Sequence, residues 1–245
     1  MKSLLLSLAL LELLLWQKGS ALLLDKNCAW TDDEDVLTNT PWMAVVRNEN
    51  GLKCGGALIT KNYVLTAAHC LYNQKAPMFV QLGEWPFNVD QVIIHRGYPG
   101  PVGPNDIALL KLHGEVNYTD QIRPICILTD AASVLQKINK VLAFGWGKTM
   151  ARDLSPVLTT YQLRRLPSEK CPDYMPQLTN AQFCADSEVG GGPGKGDGGG
   201  PLAVIIKNRP VQVGITSYGP LDRSLPAVYT DVTSYTRWIV SIVRF

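Results

Sequence analysis

The reactive side chains of this 245-residue chain fit metal or phosphate chemistry poorly. The histidines His69, His95 and His113 are far apart, and the six cysteines contain no Cys-x-x-Cys pair, so a zinc site is not expected. The glycine-rich run GGGPGKGDGGGP (190–201) contains Gly-Lys. A P-loop also needs glycine five residues earlier and Ser or Thr after the lysine, and Val189 and Gly196 stand there. We therefore expect no metal and no cofactor.

Short β-rich segments, separated by glycine, proline and asparagine, predict a strand-dominated sandwich or barrel. These segments include WMAVVR, GGALIT, YVLTA, FVQLG, QVIIH, IALLKL, VLAFGWG, PLAVII and VQVGITSY. The end of the chain differs, because apolar residues from Tyr235 to Val243 fall at helical spacing. This pattern predicts one terminal amphipathic helix, with Thr233 or Ser234 as its N-cap.

The first residues predict export. Lys2, the leucine run of residues 4–15 and the small residues 19–21 form a signal peptide pattern, with cleavage near Ala21. Six cysteines in an exported chain indicate three disulfides, although the count alone allows fifteen pairings. The net charge of +2 and the absence of a later long apolar stretch favour neither nucleic acid nor a membrane as partner.

Three segments identify a family. LTAAHC (65–70), NDIALLKL (105–112) and GDGGGPL (196–202) occur in this order and at wide spacing, and together they resemble trypsin-like serine proteases (peptidase S1). The resemblance implies an all-β fold of two antiparallel six-stranded β-barrels with a C-terminal α-helix. It covers residues 41–245, after the signal peptide (1–21) and a short N-terminal segment (22–40).

The resemblance also implies catalytic positions, of which one has lost its side chain. His69 takes the position of the general base, Asp106 that of its orienting carboxylate, and Ser217 that of the serine bonded to the aspartate. The nucleophile position is occupied by Gly198, which offers no oxygen for attack. The N–H groups of Gly196 and Gly198 take the positions of the oxyanion hole.

A second departure from the family concerns activation. Active members are cut to release an Ile-Val-Gly-Gly terminus, whose ammonium pairs with the residue corresponding to Asp197. No such sequence precedes Pro41, and no Lys or Arg lies between Lys26 and Arg47. We therefore expect segment 22–40 to lack an activation site and Asp197 to be either solvated or satisfied by another group. The glycines around Asp197 predict a loosely held turn.

Uncharged residues occupy the positions that correspond to the family's specificity pocket. By resemblance they are Gly192, Ser217, Gly219 and Ala227, with glycine at 192 where trypsin-like enzymes carry aspartate. We expect no selection of a basic substrate residue and a pocket slightly narrowed by Ala227. An open and a collapsed pocket are both compatible with the sequence.

The resemblance implies the pairing of all six cysteines. The expected disulfides are Cys28–Cys126, Cys54–Cys70 and Cys171–Cys184. Two other family disulfides have lost both partners, with Val141 and Val204 at one site and Gly194 and Asp222 at the other. Asn117, in the sequon NYT, is a candidate glycosylation site.

These features predict a secreted, extracellular and catalytically inactive serine protease homologue resembling insect members. Such a protein acts by binding proteins, as cofactor or regulator of a proteolytic cascade, and its partners would be active proteases, zymogens or inhibitors. One alternative is a weak or unconventional serine-type endopeptidase that uses His69 and Asp106 with water. Another is a structural extracellular protein.

Overall fold

The structure, a computed structural model, is interpreted over the part of the chain with defined placement. The described residues are 23–29, 40–51, 53–130, 138–146, 158–171, 178–187, 192–194, 196–220 and 226–243. The predicted signal peptide, most of the segment between Ala29 and Pro41, and Asp222 lie outside these ranges.

The first barrel is built from strands that alternate buried and exposed side chains or are buried on both faces. It is closed and antiparallel, in the order β1-β2-β3-β6-β5-β4. The strands are β1 (Met43–Asn48), β2 (Lys53–Thr60), β3 (Tyr63–Thr66), β4 (Met78–Leu82), β5 (Trp85–Ile94) and β6 (Ala108–Leu112). Val46, Leu65 and Leu109 are fully buried inside it. The burial of such side chains stabilises the apolar segments that contain them as strands of the barrel.

The second barrel repeats this architecture. It is also closed and antiparallel, in the order β10-β11-β12-β9-β8-β7. Its strands are β7 (Lys140–Gly145), β8 (Thr159–Arg165), β9 (Gln182–Ser187), β10 (Pro201–Ile206), β11 (Arg209–Tyr218) and β12 (Ala227–Asp231). The prediction of two six-stranded antiparallel barrels is therefore confirmed.

A short α-helix, α1 (Thr236–Val243), follows the second barrel, as predicted. The expected N-cap at Thr233 or Ser234 is wrong. A 3₁₀ turn (Val232–Tyr235) comes first, and the Asp231 carboxylate accepts a hydrogen bond of 3.0 Å from the N–H of Thr233. Asp231 satisfies the amide that would otherwise be free at the start of the turn.

The two barrels share one apolar interface. Trp42 of the first barrel meets Phe144 of the second edge to face, with ring centroids 5.8 Å apart, and Ile215 and Ile239 belong to the same buried cluster. The N-terminal segment is also attached, because Cys28 is bonded to Cys126. This packing fixes the relative position of the loops that line the cleft. No helix within the described ranges is long and apolar enough to cross a membrane.

Candidate active site

His69 and Asp106 meet at the end of the first barrel. His69 lies in a 3₁₀ turn (Ala68–Cys70) that follows β3, and Asp106 precedes β6. Because β3 and β6 are paired in register, the two loops are adjacent. The Nδ1 atom of His69 lies 2.8 Å from Oδ2 of Asp106, and the His69 backbone N–H donates to Oδ1 at 2.8 Å.

The Asp106 carboxylate is buried and well supplied with donors. It is 3% exposed, and the hydroxyl of Ser217 donates to Oδ2 at 2.5 Å. These contacts offset the cost of burying a charge. Since the carboxylate accepts from Nδ1, the proton of a neutral His69 lies on Nδ1 and leaves Nε2 as an acceptor towards the cleft.

Gly198 lies directly beneath the imidazole of His69. A Cβ atom on Gly198 would lie 2.6 Å from Nε2 and 3.1 Å from Cε1, closer than real Cβ contacts. The ring therefore occupies space that a side chain at 198 would need. Within the described chain, the polar neighbour of Nε2 is Sγ of Cys70 at 3.4 Å. This sulfur belongs to the Cys54–Cys70 disulfide and has no hydrogen to donate to an unprotonated Nε2.

The expectation of a loosely held turn around Asp197 is wrong, because hydrogen bonds pin it from both barrels. The N–H of Gly55 in β2 donates to the carbonyl of Gly198 at 2.8 Å, and the N–H of Gly199 donates to the carbonyl of Thr216 in β11 at 2.8 Å. Gly199 has a φ of +81° and packs against the backbone of Gly55. Glycine is needed there for close approach as well as for φ.

Asp197 is satisfied inside the protein. The residue is 1% exposed, and the N–H of Gly194 donates to its Oδ2 at 2.8 Å. Its other oxygen lies against Gly145, where any Cβ would collide with the carboxylate. Of the two sequence-based alternatives, solvation and another partner, the structure shows the second.

A cavity of about 280 Å³ opens beside His69 and Gly198. It brings together most of the residues that the resemblance assigned to the cleft. Among the described residues, its lining includes His69, Pro101, Pro193, Gly194, Gly196, Gly198, Thr216, Ser217, Tyr218, Gly219, Pro220 and Ala227. Gly192 is buried and is not part of this lining. Gly219 and Ala227 touch, since a Cβ on Gly219 would lie 2.6 Å from that of Ala227.

The oxyanion-hole positions face this cavity. Gly196 and Gly198 both line it, and neither N–H donates a hydrogen bond to any described residue. Gly196 has a φ of +101°, a conformation that favours glycine. Two backbone N–H groups without an acceptor among the described residues thus belong to one wall of the cleft.

Two residues in or near the site, Thr216 and Tyr98, were not predicted from the sequence. Thr216 is 7% exposed, lines the cavity, and its hydroxyl has no hydrogen-bond partner among the described residues. Tyr98 is buried near Asp106, and burial followed by the negative charge of Asp106 raises the pKa of its phenol well above the usual range. The only sequence signal for Thr216 is its position next to Ser217, which does not distinguish a cavity wall from a core.

The three disulfides have the pairings that the resemblance implies, Cys28–Cys126, Cys54–Cys70 and Cys171–Cys184. Where one family disulfide is absent, Val141 and Val204 lie in the same buried cluster, so apolar contact occupies that position.

The sulfur atoms of Cys54 and Cys70 and one ring nitrogen of His69 lie within 4.8 Å of one another. The two sulfurs are bonded to each other, and a metal would need them as free thiolates. This group is therefore not suited to a metal ion. Asn117, the candidate glycosylation residue, is exposed.

Comparisons with known proteins all point to the same family. The trypsin family model matches residues 30–239. Melanization protease 1 of Drosophila melanogaster is 35% identical over 259 aligned residues, covering 86% of this chain and 64% of that protein. CLIP domain-containing serine protease HP8 of Bombyx mori is 33% identical, covering 82% and 65%, and Serine protease grass of Drosophila melanogaster is 31% identical, covering 84% and 65%. The chain thus spans just under two thirds of the length of these relatives.

Proposed function

The chain belongs to the trypsin family of serine proteases, and from that premise we propose that this member is a secreted pseudoprotease that binds proteins and does not hydrolyse them. It acts as a cofactor or regulator in a proteolytic cascade. The observation that carries this proposal is Gly198 under the imidazole of His69, with Nε2 in the space of the missing side chain.

The chemistry of the family needs an attacking oxygen next to the general base. Gly198 supplies none. Ser217 also does not serve, because its hydroxyl is held by the Asp106 carboxylate at 2.5 Å. Loss of the triad serine lowers turnover on the order of a millionfold in another serine protease. Hydrolysis by water alone would therefore be very weak.

The surroundings of Asp197 support the same proposal. The carboxylate is buried and accepts a hydrogen bond from Gly194, and the segment before Pro41 contains no Ile-Val-Gly-Gly sequence. We therefore propose that this charge does not need a cleaved terminus and that the turn forms without proteolytic activation.

A binding role is supported by what the chain retains. Both barrels are closed, the turn that carries Gly198 is pinned by hydrogen bonds, and a cavity of about 280 Å³ remains open between the barrels. Its relatives include a melanization protease and CLIP domain-containing proteases. These relatives support our proposal that its partners are active proteases, zymogens or inhibitors of such cascades in the extracellular space.

The test of lost catalysis uses the chain without its signal peptide. It is incubated with a peptide library and with a serine-reactive fluorophosphonate, and products and adducts are identified by mass spectrometry. The matched control is His69→Ala. The proposal expects no adduct and a background cleavage rate equal in both proteins.

A cleavage rate that exceeds background and falls in His69→Ala would overturn the proposal in favour of an unconventional endopeptidase. That alternative would rely on the intact contact between His69 and Asp106. A fluorophosphonate adduct on any serine would also contradict the proposal, because it would reveal a nucleophile other than residue 198.

A further inference from the structure

We propose that the outer side of the first barrel binds an extended, acidic segment of a partner protein, which adds as a strand to a free edge of β5. The site is the edge groove, which we define as the gap between residues 89–94 of β5 and the segment 71–78. Among the described residues it shares no lining with the cavity beside His69. The proposal therefore concerns a surface separate from the cleft.

The edge groove exists because β4 is shorter than β5. The pairing of the two strands stops where Phe79 lies opposite Asn88. Pro77 comes directly before the first residue of β4, and proline has no N–H with which the ladder could continue. Among the described strands, residues 89–94 therefore pair with β6 alone, and their other side is a free edge.

The backbone of this free edge offers hydrogen-bonding groups that the fold does not use. The N–H of His95 donates to the carbonyl of Ile107, just before β6. Backbone groups alternate in direction along an antiparallel strand, so those of Val92 and Ile94 are directed away from β6. No backbone hydrogen bond joins the free edge to the segment 71–78, and the structure describes both. A free edge of this kind pairs with another extended chain.

The opposite wall of the groove favours a single chain as the occupant over the sheet of a second copy. The groove has a volume of about 270 Å³, and the segment 71–78 faces the free edge across it. Hydrogen bonds hold this segment in place: the N–H of Tyr72 donates to the carbonyl of Ala68 at 2.9 Å, and Nδ2 of Asn48 donates to Oε1 of Gln74 at 3.0 Å. A second sheet would have to displace this wall, whereas one extended segment would not.

The apolar lining of the groove indicates apolar residues at alternate positions of the ligand. Leu71 and Met78 are buried, and Val89 is half-buried. Val92 is 42% exposed on the free edge itself. Side chains of an added strand point alternately to its two faces, so every second residue can contact these apolar groups.

The charges of the groove indicate acidic residues at the remaining positions. The described lining contains two charged side chains, Lys75 and Asp90. Asp90 is already bonded to His113 at 2.9 Å, whereas Lys75 is exposed and forms no ion pair with a described residue. Arg96, also exposed, follows the free edge in the sequence. Carboxylates of a ligand are therefore complementary to the charges left unpaired.

The experiment uses a fluorescent hexapeptide of alternating valine and glutamate, capped at both ends, and the protein without its predicted signal peptide. Fluorescence anisotropy measures the affinity of this acidic peptide and of a matched valine–lysine peptide. We expect the acidic peptide to bind about fivefold or more tightly than the basic one, because only its side chains attract Lys75.

Two further acidic peptides test the pairing of backbones, since each is N-methylated at alternate residues, along one edge or along the other. Methylation of the edge that faces β5 removes several hydrogen bonds at once. We expect one pattern to weaken binding about tenfold or more and the other to weaken it less than about threefold.

Variants of the protein assign the binding to the groove. Val92→Pro removes an N–H that is directed away from β6, a position at which an edge strand tolerates proline, and should weaken binding about fivefold or more. Val92→Thr, its control, keeps the N–H and the shape of the side chain and should bind normally. Lys75→Gln should remove most of the preference for the acidic peptide, whereas Lys140→Gln, at an exposed position of the second barrel, should retain it. Urea unfolding verifies that each variant is folded.

Equal affinity of all the acidic peptides, methylated or not, would overturn the proposal, as would unchanged binding in Val92→Pro. Equal affinity of the acidic and basic peptides would overturn the assigned charge of the partner. A dimer that the peptide dissociates, detected by sedimentation velocity, would also overturn it, because a second copy would then occupy the edge. These results leave the proposed function intact, whereas cleavage of either peptide would contradict the proposed loss of catalysis.

Discussion

The imidazole of His69 occupies the space above Gly198, with Nε2 2.6 Å from the position that a Cβ atom on this glycine would take. The same ring keeps its contact of 2.8 Å with Asp106. The two residues that the family resemblance assigns as general base and orienting carboxylate are thus in contact, and they face a residue without a side chain. The ring also closes the space into which a serine would have to return.

Restoring the serine should not restore an enzyme. In Gly198→Ser, the new Cβ would lie 2.6 Å from Nε2 of His69, so the ring must shift from its present position. We expect no robust peptide hydrolysis and a loss of less than about 1 kcal/mol in the free energy of unfolding, because the group that shifts is the end of a partly exposed side chain. Hydrolysis of neutral peptide substrates and urea unfolding measure the two effects.

Gly198→Ala is the control for this substitution, because it adds the same Cβ without a nucleophile. Its stability should fall by a similar amount. Robust hydrolysis by Gly198→Ser, absent from Gly198→Ala, would show that the site tolerates the serine and that the displaced ring is not an obstacle.

The turn beneath the site should depend strongly on Gly199. Its φ is +81°, and a Cβ would lie 2.5 Å from the carbonyl oxygen of Gly55. Gly199→Ala combines backbone strain with a collision against backbone, and we expect it to cost about 3 kcal/mol or more. Gly114→Ala has nearly the same φ, +78°, but open space around it, and should cost about 1 kcal/mol. Equal urea midpoints for the two variants would contradict this explanation.

Two neighbouring hydroxyls on β11 should contribute very differently to stability. Ser217 donates to the buried carboxylate of Asp106, whereas the Thr216 hydroxyl has no partner in the described part of the chain. We expect Ser217→Ala to lower the free energy of unfolding by about 1.5–3 kcal/mol and Thr216→Val to be neutral or stabilising. Calorimetry or urea titration distinguishes them. A larger loss in Thr216→Val than in Ser217→Ala would be inconsistent with these hydrogen bonds.

His95 should make the fold less stable in mild acid. Burial lowers the pKa of His95 below its ordinary value of 6.5, and its ring packs between Tyr235 and Trp238. Its Nδ1 also accepts a hydrogen bond from the N–H of Gly97 at 3.2 Å, which requires that nitrogen to be unprotonated.

With a lowered folded-state pKa, the unfolded chain binds the proton first as pH falls. The stability contribution of neutral His95 is therefore complete above about pH 6.5 and is lost progressively below it. His95→Phe should reduce the drop in unfolding free energy between pH 7 and pH 5, measured by urea titration at each pH. An equal drop in the free energy of unfolding between pH 7 and pH 5 in the wild-type protein and in His95→Phe would contradict the role given to His95.

The sequence predicted the architecture because the motifs around His69, Asp106 and Gly198 occur in a characteristic order. It did not predict how Asp197 is satisfied, because the bond from Gly194 depends on the folded loop. Nor did four neighbouring glycines reveal a rigid turn, since its hydrogen bonds come from β2 and β11, which are distant in sequence. The N-cap at Asp231 was missed because a 3₁₀ turn precedes the helix.

The most direct test of the central claim, binding without hydrolysis, is site-directed photo-crosslinking of the protein without its predicted signal peptide in extracellular fluid. A photoreactive residue replaces Val102, which is 54% exposed and adjacent to Pro101 of the cavity. The control replaces Ile205, which is 40% exposed and outside the cavity lining. We predict that the Val102 probe, and not the control, captures an active protease, a zymogen or a protease inhibitor. Capture of matrix proteins alone, or of nothing above the control, would contradict the account.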